Sequence, residues 1–178
     1  AGAPGPEVHI PLTRGAVRSW RAGDAASLAQ QANNRRIWLN LRDQFPHPYT
    51  RRDAVAFLTH ARRMQPETFF ALDIDGEAVG GIGYLLQRDV ERVSAEIGYW
   101  LGESYWGRGL ASEAVAAITA HAIAAHQLTR VFALPFAHNT ASARVLEKCG
   151  YALEGRLRRS AIKDGVVVDQ LLYAFVPS

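Results

Sequence analysis

The stretch Ser94–Ala116, SAEIGYWLGESYWGRGLASEAVA, decides how the rest of the chain is read. Val93, Ala95, Ile97, Tyr99 and Leu101 alternate with Ser94, Glu96, Gly98 and Trp100, the period of two of a strand with one buried face. From Gly109 onward Leu110, Ala114, Val115, Ile118 and Ile123 recur at helical spacings. Between strand and helix, Trp106-Gly107-Arg108-Gly109-Leu110-Ala111 places two glycines at the helix N-terminus. Backbone N–H groups left unpaired there, the helix dipole and the close approach that glycine allows together suit a phosphate.

Three phosphate-binding patterns compete for this loop. A nucleotide P-loop, G-x-x-x-x-G-K-S/T, requires a lysine that does not follow here. A dinucleotide fingerprint, G-x-G-x-x-G, meets Ser112 at its third glycine and finds no acid near Thr129–Phe132. The stretch resembles motif A of the GNAT superfamily of acyl-CoA N-acetyltransferases, Q/R-x-x-G-x-G/A, here Ser104-Tyr105-Trp106-Gly107-Arg108-Gly109. Ser104 stands where the family has Gln or Arg. One helix and one strand later, Asn139-Thr140-Ala141-Ser142 and Val145-Leu146-Glu147-Lys148-Cys149-Gly150-Tyr151 resemble the family's motif B. Ile37-Trp38, Phe45-Pro46-His47-Pro48-Tyr49-Thr50 and Glu96-Ile97-Gly98-Tyr99-Trp100 are similar to the RimJ/RimL branch, the ribosomal-protein N-terminal acetyltransferases and their relatives.

Working outward, Arg14–Arg21 reads as a strand, Asp24 starts a helix, and Arg36–Leu41 is a helical turn. Prolines at 46 and 48 force a loop. Thr50, with Asp53 three residues on, caps a helix that ends near Pro66. Thr68–Ile74 and Glu77–Leu86 form a hairpin around Asp75-Gly76, and Gly80, Gly81 and Gly83 interrupt its regularity. After the central helix come a strand at Arg130–Pro135 and a helix capped by Asn139 and closed by Gly150. A last hairpin, Tyr151–Ile162 with Val166–Val176, turns at Lys163-Asp164-Gly165. The resemblance implies one α/β (α+β) GNAT-like domain over 1–178 with 1–8 a loose terminus. Its central sheet would be mixed, mostly antiparallel, of about six to seven strands, with helices on both faces.

The resemblance also implies roles. Acetyl-CoA would lie where two central strands splay, with pantetheine and the thioester carbonyl on backbone N–H groups near Trp100 and Leu101. Its pyrophosphate would lie on Gly107, Arg108, Gly109, Leu110 and Ala111. Arg108 either reaches a phosphate or faces water. Asn139 would cap its helix and bond pantetheine, and Lys148 faces solvent or the CoA phosphates. An acid inside a sheet is costly unless paired or functional, so Glu96 is either the base for the acceptor amine or the partner of an arginine in the last hairpin. Ser142 either protonates the leaving thiolate or bonds the backbone of its own helix turn. Trp38, Phe45 and Tyr49, with Trp20, are candidates to line the acceptor pocket, two of the four being core. Cys149 beside a helix C-terminus, where the dipole raises a thiol pKa, reads as packing.

The function implied is acetyl transfer to a primary amine by direct attack, with a protein or peptide α-amine as acceptor. Two alternatives stand beside it: a small amine (polyamine, amino-sugar antibiotic or amino acid) as acceptor, and a non-catalytic acyl-CoA-binding regulatory module. Twenty basic against 17 acidic side chains leave a net charge of +3 with no basic block, which argues against nucleic acid. The single cysteine allows no internal disulfide and suits a reducing, cytoplasmic compartment. No apolar run approaches the ~18 residues of a membrane span. The six histidines show no metal spacing, so no metal is expected. Family habit and the exposed edges of the last hairpin raise a homodimer.

Overall fold

The computed structural model describes residues 5–178. In chain order the elements are β1 (His9–Leu12), β2 (Gly15–Ser19), α1 (Ala25–Ala32), α2 (Arg35–Trp38), α3 (Arg51–Arg63), β3 (Phe69–Ile74), β4 (Glu77–Leu86), β5 (Ser94–Leu101), α4 (Leu110–His126), β6 (Arg130–Ala133), α5 (Thr140–Lys148), β7 (Ala152–Lys163) and β8 (Val166–Phe175). The strands make one sheet in the order β1-β2-β3-β4-β5-β6-β8-β7. Every neighbouring pair is antiparallel except β5 with β6.

The sheet has eight strands, one beyond the expected range. The extra one is β1, whose Pro11 hides it from a strand reading. As an edge strand β1 can carry a residue with no N–H to donate. The terminus expected to be loose over 1–8 is tied down from Glu7. Glu7 accepts from Arg21 Nε at 2.8 Å, and the Val8 N–H donates to Ser19 Oγ at 2.9 Å. Residues 1–4 lie outside the described part.

Local rules place the other elements. Thr50 Oγ1 accepts from the Asp53 N–H at 3.2 Å and Asp53 accepts from the Thr50 N–H at 2.8 Å, the reciprocal capping box expected for α3. The glycines of β4 mark a bulge: Leu72 pairs with Gly80 and Asp73 with Ala78, leaving Val79 extra. Asp164 and Gly165, both with positive φ, make the tight turn between β7 and β8.

Two cores flank the sheet. On one face Val17, Phe70, Leu72, Val79, Ile82, Ala95, Ile97 and Leu101 meet Leu110, Val115, Ile118 and Leu146 of α4 and α5. On the other, Ala71, Ala78 and Trp100 meet Leu28 of α1 and Ala54, Leu58 and Ala61 of α3. The helices therefore cover both faces, as expected. His121 and His126 of α4 are partly buried, packed against Phe70 and Tyr84 respectively, and His126 Nε2 lies 2.9 Å from the Tyr84 hydroxyl. Burial pushes both imidazoles below their ordinary pKa. Among the described residues no cluster could hold a metal ion, and no helix is long and apolar enough to cross a membrane.

One buried charge holds β2, β3 and the start of α1 in register. Arg18 is 1% exposed. Its Nε donates to Asp73 at 2.6 Å, and Nη1 and Nη2 each donate to Asp24 at 2.9 Å. Asp73 also accepts from the Gly76 N–H at 2.9 Å, so the triad fixes the β3–β4 turn as well. Arg18→Ala leaves two carboxylates without their cation. We expect it to lose about 3–5 kcal/mol in urea unfolding, the cost of breaking a buried pair from one side. A loss below about 1 kcal/mol would show that water replaces the guanidinium.

Candidate active site

β5 stays paired with β4 from Ala95 to Leu101. It pairs with β6 only at Ser94↔Arg130, Ala95↔Val131 and Glu96↔Phe132. β6 then pairs with β8, with Ala133 opposite Tyr173. The two central strands part after Glu96, and the β6-side edge of β5 from Ile97 to Leu101 has no strand beside it. Peptide groups on such an edge must be satisfied by water or a ligand.

The first turn of α5 stands at this parting. Asn139 caps the helix, its Oδ1 accepting from the Ser142 N–H at 3.2 Å. The Ser142 hydroxyl lies 2.6 Å from the phenol of Tyr99 on β5, which also donates to the Ser142 carbonyl at 3.4 Å. Burial pushes the Tyr99 phenol up to about 12, with the Ser142 hydrogen bond pulling the other way. Tyr99 is a site residue that sequence reasoning missed. Its place in the apolar alternation marks it as core, and only the docking of α5 gives its hydroxyl a partner.

Glu96 lies on the opposite face of β5, as the alternation predicts. Its partner is not an arginine of the last hairpin. It is Arg42, from the loop between α2 and α3, with Nη2 at 3.2 and 3.4 Å from the two carboxylate oxygens. The side chains are 18% exposed for Glu96 and 57% for Arg42. So open a pair contributes about 0–1 kcal/mol and is readily exchanged.

The glycine loop comes directly after β5. Gly107 and Gly109 have φ of 75° and 78°, and a Cβ at either would meet nothing within 4 Å. No side chain caps α4, so its first N–H groups remain available. Trp106 Nε1 donates to the Leu101 carbonyl at 2.7 Å and pins the loop to the end of β5. Leu110 is buried, so it can offer a ligand its backbone rather than its side chain, and Ala111 is half-buried beside it. Arg108 is exposed, stacked on Tyr105, and lines a cleft of about 470 Å3 with Arg14, Leu110 and Glu113. Cys149 Sγ donates to the Ser112 carbonyl at 3.2 Å, bringing the end of α5 against the start of α4. Lys148 is exposed at that end, while the Cys149 thiol is raised by burial and packed.

The three acceptor candidates do not share one pocket. Phe45 lies between Tyr49, at 5.0 Å, and Trp100, at 5.6 Å. Tyr49 and Trp20 are core residues. Phe45, Tyr49, Phe57 and His60 line a groove of about 350 Å3. Trp38 is held elsewhere, under the Lys163 ammonium at 3.9 Å. The Trp100 ring covers Gly81, where a Cβ would meet its Nε1 at 2.7 Å. Its backbone does not face the parting as expected: the Gln87 N–H donates to the Ser94 carbonyl and the Gly102 N–H to the Val79 carbonyl, a register that turns the peptide groups of Trp100 to β4 and leaves those of Ile97, Tyr99 and Leu101 on the free edge.

A sheet splayed beside a glycine-bearing helix start is the geometry of an acyl-CoA-binding fold. The acetyltransferase (GNAT) domain family matches residues 14–152, and the chain belongs to that family. It is 35% identical over 100 residues to the uncharacterized N-acetyltransferase YoaA of Bacillus subtilis (strain 168), covering 56% of each chain. It is 31% identical over 105 residues to the ribosomal-protein-serine acetyltransferase of Escherichia coli (strain K12), covering 59% of this chain and 58% of that one. The matched part is thus little more than half the length of these curated relatives. Among solved structures, Mycobacterium smegmatis RimJ in complex with CoA-disulfide superposes with a TM-score of 0.82 at 27% identity, over 97% of this chain and 88% of that one.

The glycine loop can be tested by itself. Valine at residue 109 would be strained at this φ and would put a branched side chain where an anion must approach. We expect Gly109→Val to weaken acetyl-CoA binding at least about tenfold, near 1.4 kcal/mol, by calorimetry on folded protein. Unchanged affinity would place the phosphates elsewhere.

Proposed function

We propose that the protein is an acetyl-CoA-dependent N-acetyltransferase acting by direct attack on the α-amine of a protein or peptide. The observation that carries this reading is the parting of β5 from β6, with Tyr99–Ser142 on one face of β5 and Glu96 on the other. The residues present fit acetyl-CoA. The bare glycine backbone at the start of α4 suits a pyrophosphate. Arg108 stands beside that helix start, Lys148 and Asn139 lie at the two ends of α5, and the free edge of β5 from Ile97 to Leu101 suits a pantetheine arm.

Bound there, acetyl-CoA supplies an acetyl group activated as a thioester. The chain's own residues serve the amine and the sulfur. Glu96 takes the proton that the amine sheds as its nitrogen bonds the acetyl carbon, directly or through one water. The hydroxyl pair on the other face serves the sulfur as its bond to that carbon breaks. A phenol near 12 is a weaker acid than an ordinary thiol near 8.5. Full transfer from Tyr99 is therefore uphill, and the pair acts chiefly as a hydrogen-bond donor to the developing thiolate through Ser142. The thiolate so stabilised leaves and takes its proton from water, so incoming amine and outgoing thiolate are handled on opposite faces of one strand.

Proton chemistry selects the acceptor class. A peptide α-amine, with a pKa near 7.7–8.0, is about a tenth or more neutral at pH 7, whereas a lysine near 10.4 is neutral in only about one molecule in 2,500. A lone carboxylate, already shared with Arg42, is adequate for the first and poor for the second. The name of the E. coli relative, a ribosomal-protein-serine acetyltransferase, supports a protein as the acceptor.

Free-thiol release from acetyl-CoA tests the reading. Peptides with free N-termini should outcompete the same peptides blocked at the N-terminus and carrying an internal lysine. Reaction of the lysine peptides alone would overturn the α-amine assignment. Acetyl-CoA binding without turnover of peptides, polyamines or amino sugars would mark a binding module. Glu96→Gln should lower kcat/KM roughly 10–10³-fold at neutral pH. Ser142→Ala should lower kcat by about 10–10²-fold, the low end for such groups, with a smaller change in acetyl-CoA affinity. Unchanged values when chemistry limits the rate would remove each residue from its role.

A further inference from the structure

Gly98 has no explanation within the fold. It sits in the middle of β5, where glycine is disfavoured by about 0.5–1 kcal/mol relative to alanine. Its φ is not positive, so the backbone does not demand it. A Cβ there would meet nothing within 4 Å. The nearby glycines of β4 differ. At Gly83, directly across the ladder from Gly98, a Cβ would strike the Phe69 ring at 2.5 Å, and at Gly81 the Trp100 ring at 2.7 Å. Those positions are bare because a side chain of the protein fills the space. At Gly98 no group of the protein does.

Strand alternation puts Gly98 on the same face as Glu96 and Trp100. The floor so formed has a carboxylate at one end and, at the other, an indole packed against Phe45. The two ends are about 13 Å apart at ~3.3 Å per residue. The exposed Arg42 guanidinium stands over the carboxylate end in a pair weak enough to yield to another cation.

We propose that Gly98 is a specificity-determining residue: it keeps the acceptor floor bare, so that the first residue of an extended peptide lies across β5 with its ammonium at Glu96. This rests on the α-amine reading above. Glycine in a strand lets another backbone approach closely, which an extended peptide uses and a side chain at 98 would prevent.

The test compares wild type with Gly98→Ala and Gly98→Val, using a hexapeptide with a free amino-terminal serine and, separately, spermidine. Open space at 98 and the strand preference of valine mean both variants should fold with an unchanged or higher Tm. Acetyl-CoA affinity by calorimetry should stay within about twofold. For the peptide, kcat/KM should fall at least about tenfold in Gly98→Val, mainly through KM, with Gly98→Ala between. Equal peptide kinetics in wild type and Gly98→Val would overturn the inference. So would a parallel loss of acetyl-CoA affinity, which would assign Gly98 to the cofactor. If wild type turns over spermidine and not the peptide, the α-amine reading fails and takes the extended-peptide inference with it. Absence of turnover with either amine overturns both.

Discussion

Everything in this site hangs on β5 keeping β4 and letting go of β6. The cause lies in β6. It is four residues long and runs into Leu134-Pro135, where the missing N–H bars further pairing through that residue. β8 claims the residues beyond. The Leu171 N–H donates to the Pro135 carbonyl at 2.9 Å, the Ala137 N–H to the Asp169 carbonyl at 2.9 Å, and Phe136 bridges to Gln170. The chain is thereby drawn away from β5 and delivers the start of α5 to the gap. One choice of strand partner produces the free edge, sets Ser142 against Tyr99, and makes Glu96 the last residue of the β5–β6 ladder.

The rim of the gap is braced by charge rather than by bulk. α2 is tied to the segment between β5 and the glycine loop, where Asn34 and Arg36 both donate to Glu103 and Arg36 stacks on Trp106. It is tied to the β7–β8 turn as well, through Arg35 with Asp164. Lys163 is the stronger anchor. It is buried, lies over Trp38 and donates to Asp43 at 3.0 Å. The exposed pairs contribute little individually. Together they fix the loop that carries Arg42 and Phe45 relative to both the glycine loop and the hairpin.

Periodicity and capping chemistry made most of the fold legible. The alternation in Ser94–Leu101, the Thr50/Asp53 box, the Asn139 cap and the turn at Gly165 are local rules that the structure obeys. What stayed hidden was set by tertiary pairing. Pro11 masked β1, because whether a proline is tolerated depends on which edge is free. The partner of Glu96 was misplaced, because Arg42 reaches it from a loop whose course no spacing rule gives. Tyr99 carries a hydroxyl like any other strand tyrosine until α5 brings Ser142 to it. Gly98 reads as a blemish in a strand, and acquires meaning only beside glycines whose space is visibly filled.

Hydrogen exchange on the backbone amides of β5 and the glycine loop, with and without acetyl-CoA, tests the central claim most directly. The account predicts fast exchange in the free protein, and strong slowing on binding, for the amides of Ile97, Tyr99 and Leu101 and of the segment 107–112, while Gly98 and Trp100, bonded to β4, should change little. The paired amides of β4 should change little. Protection confined to the groove lined by Phe45, Tyr49 and Phe57, or none along the free edge of β5, would contradict it.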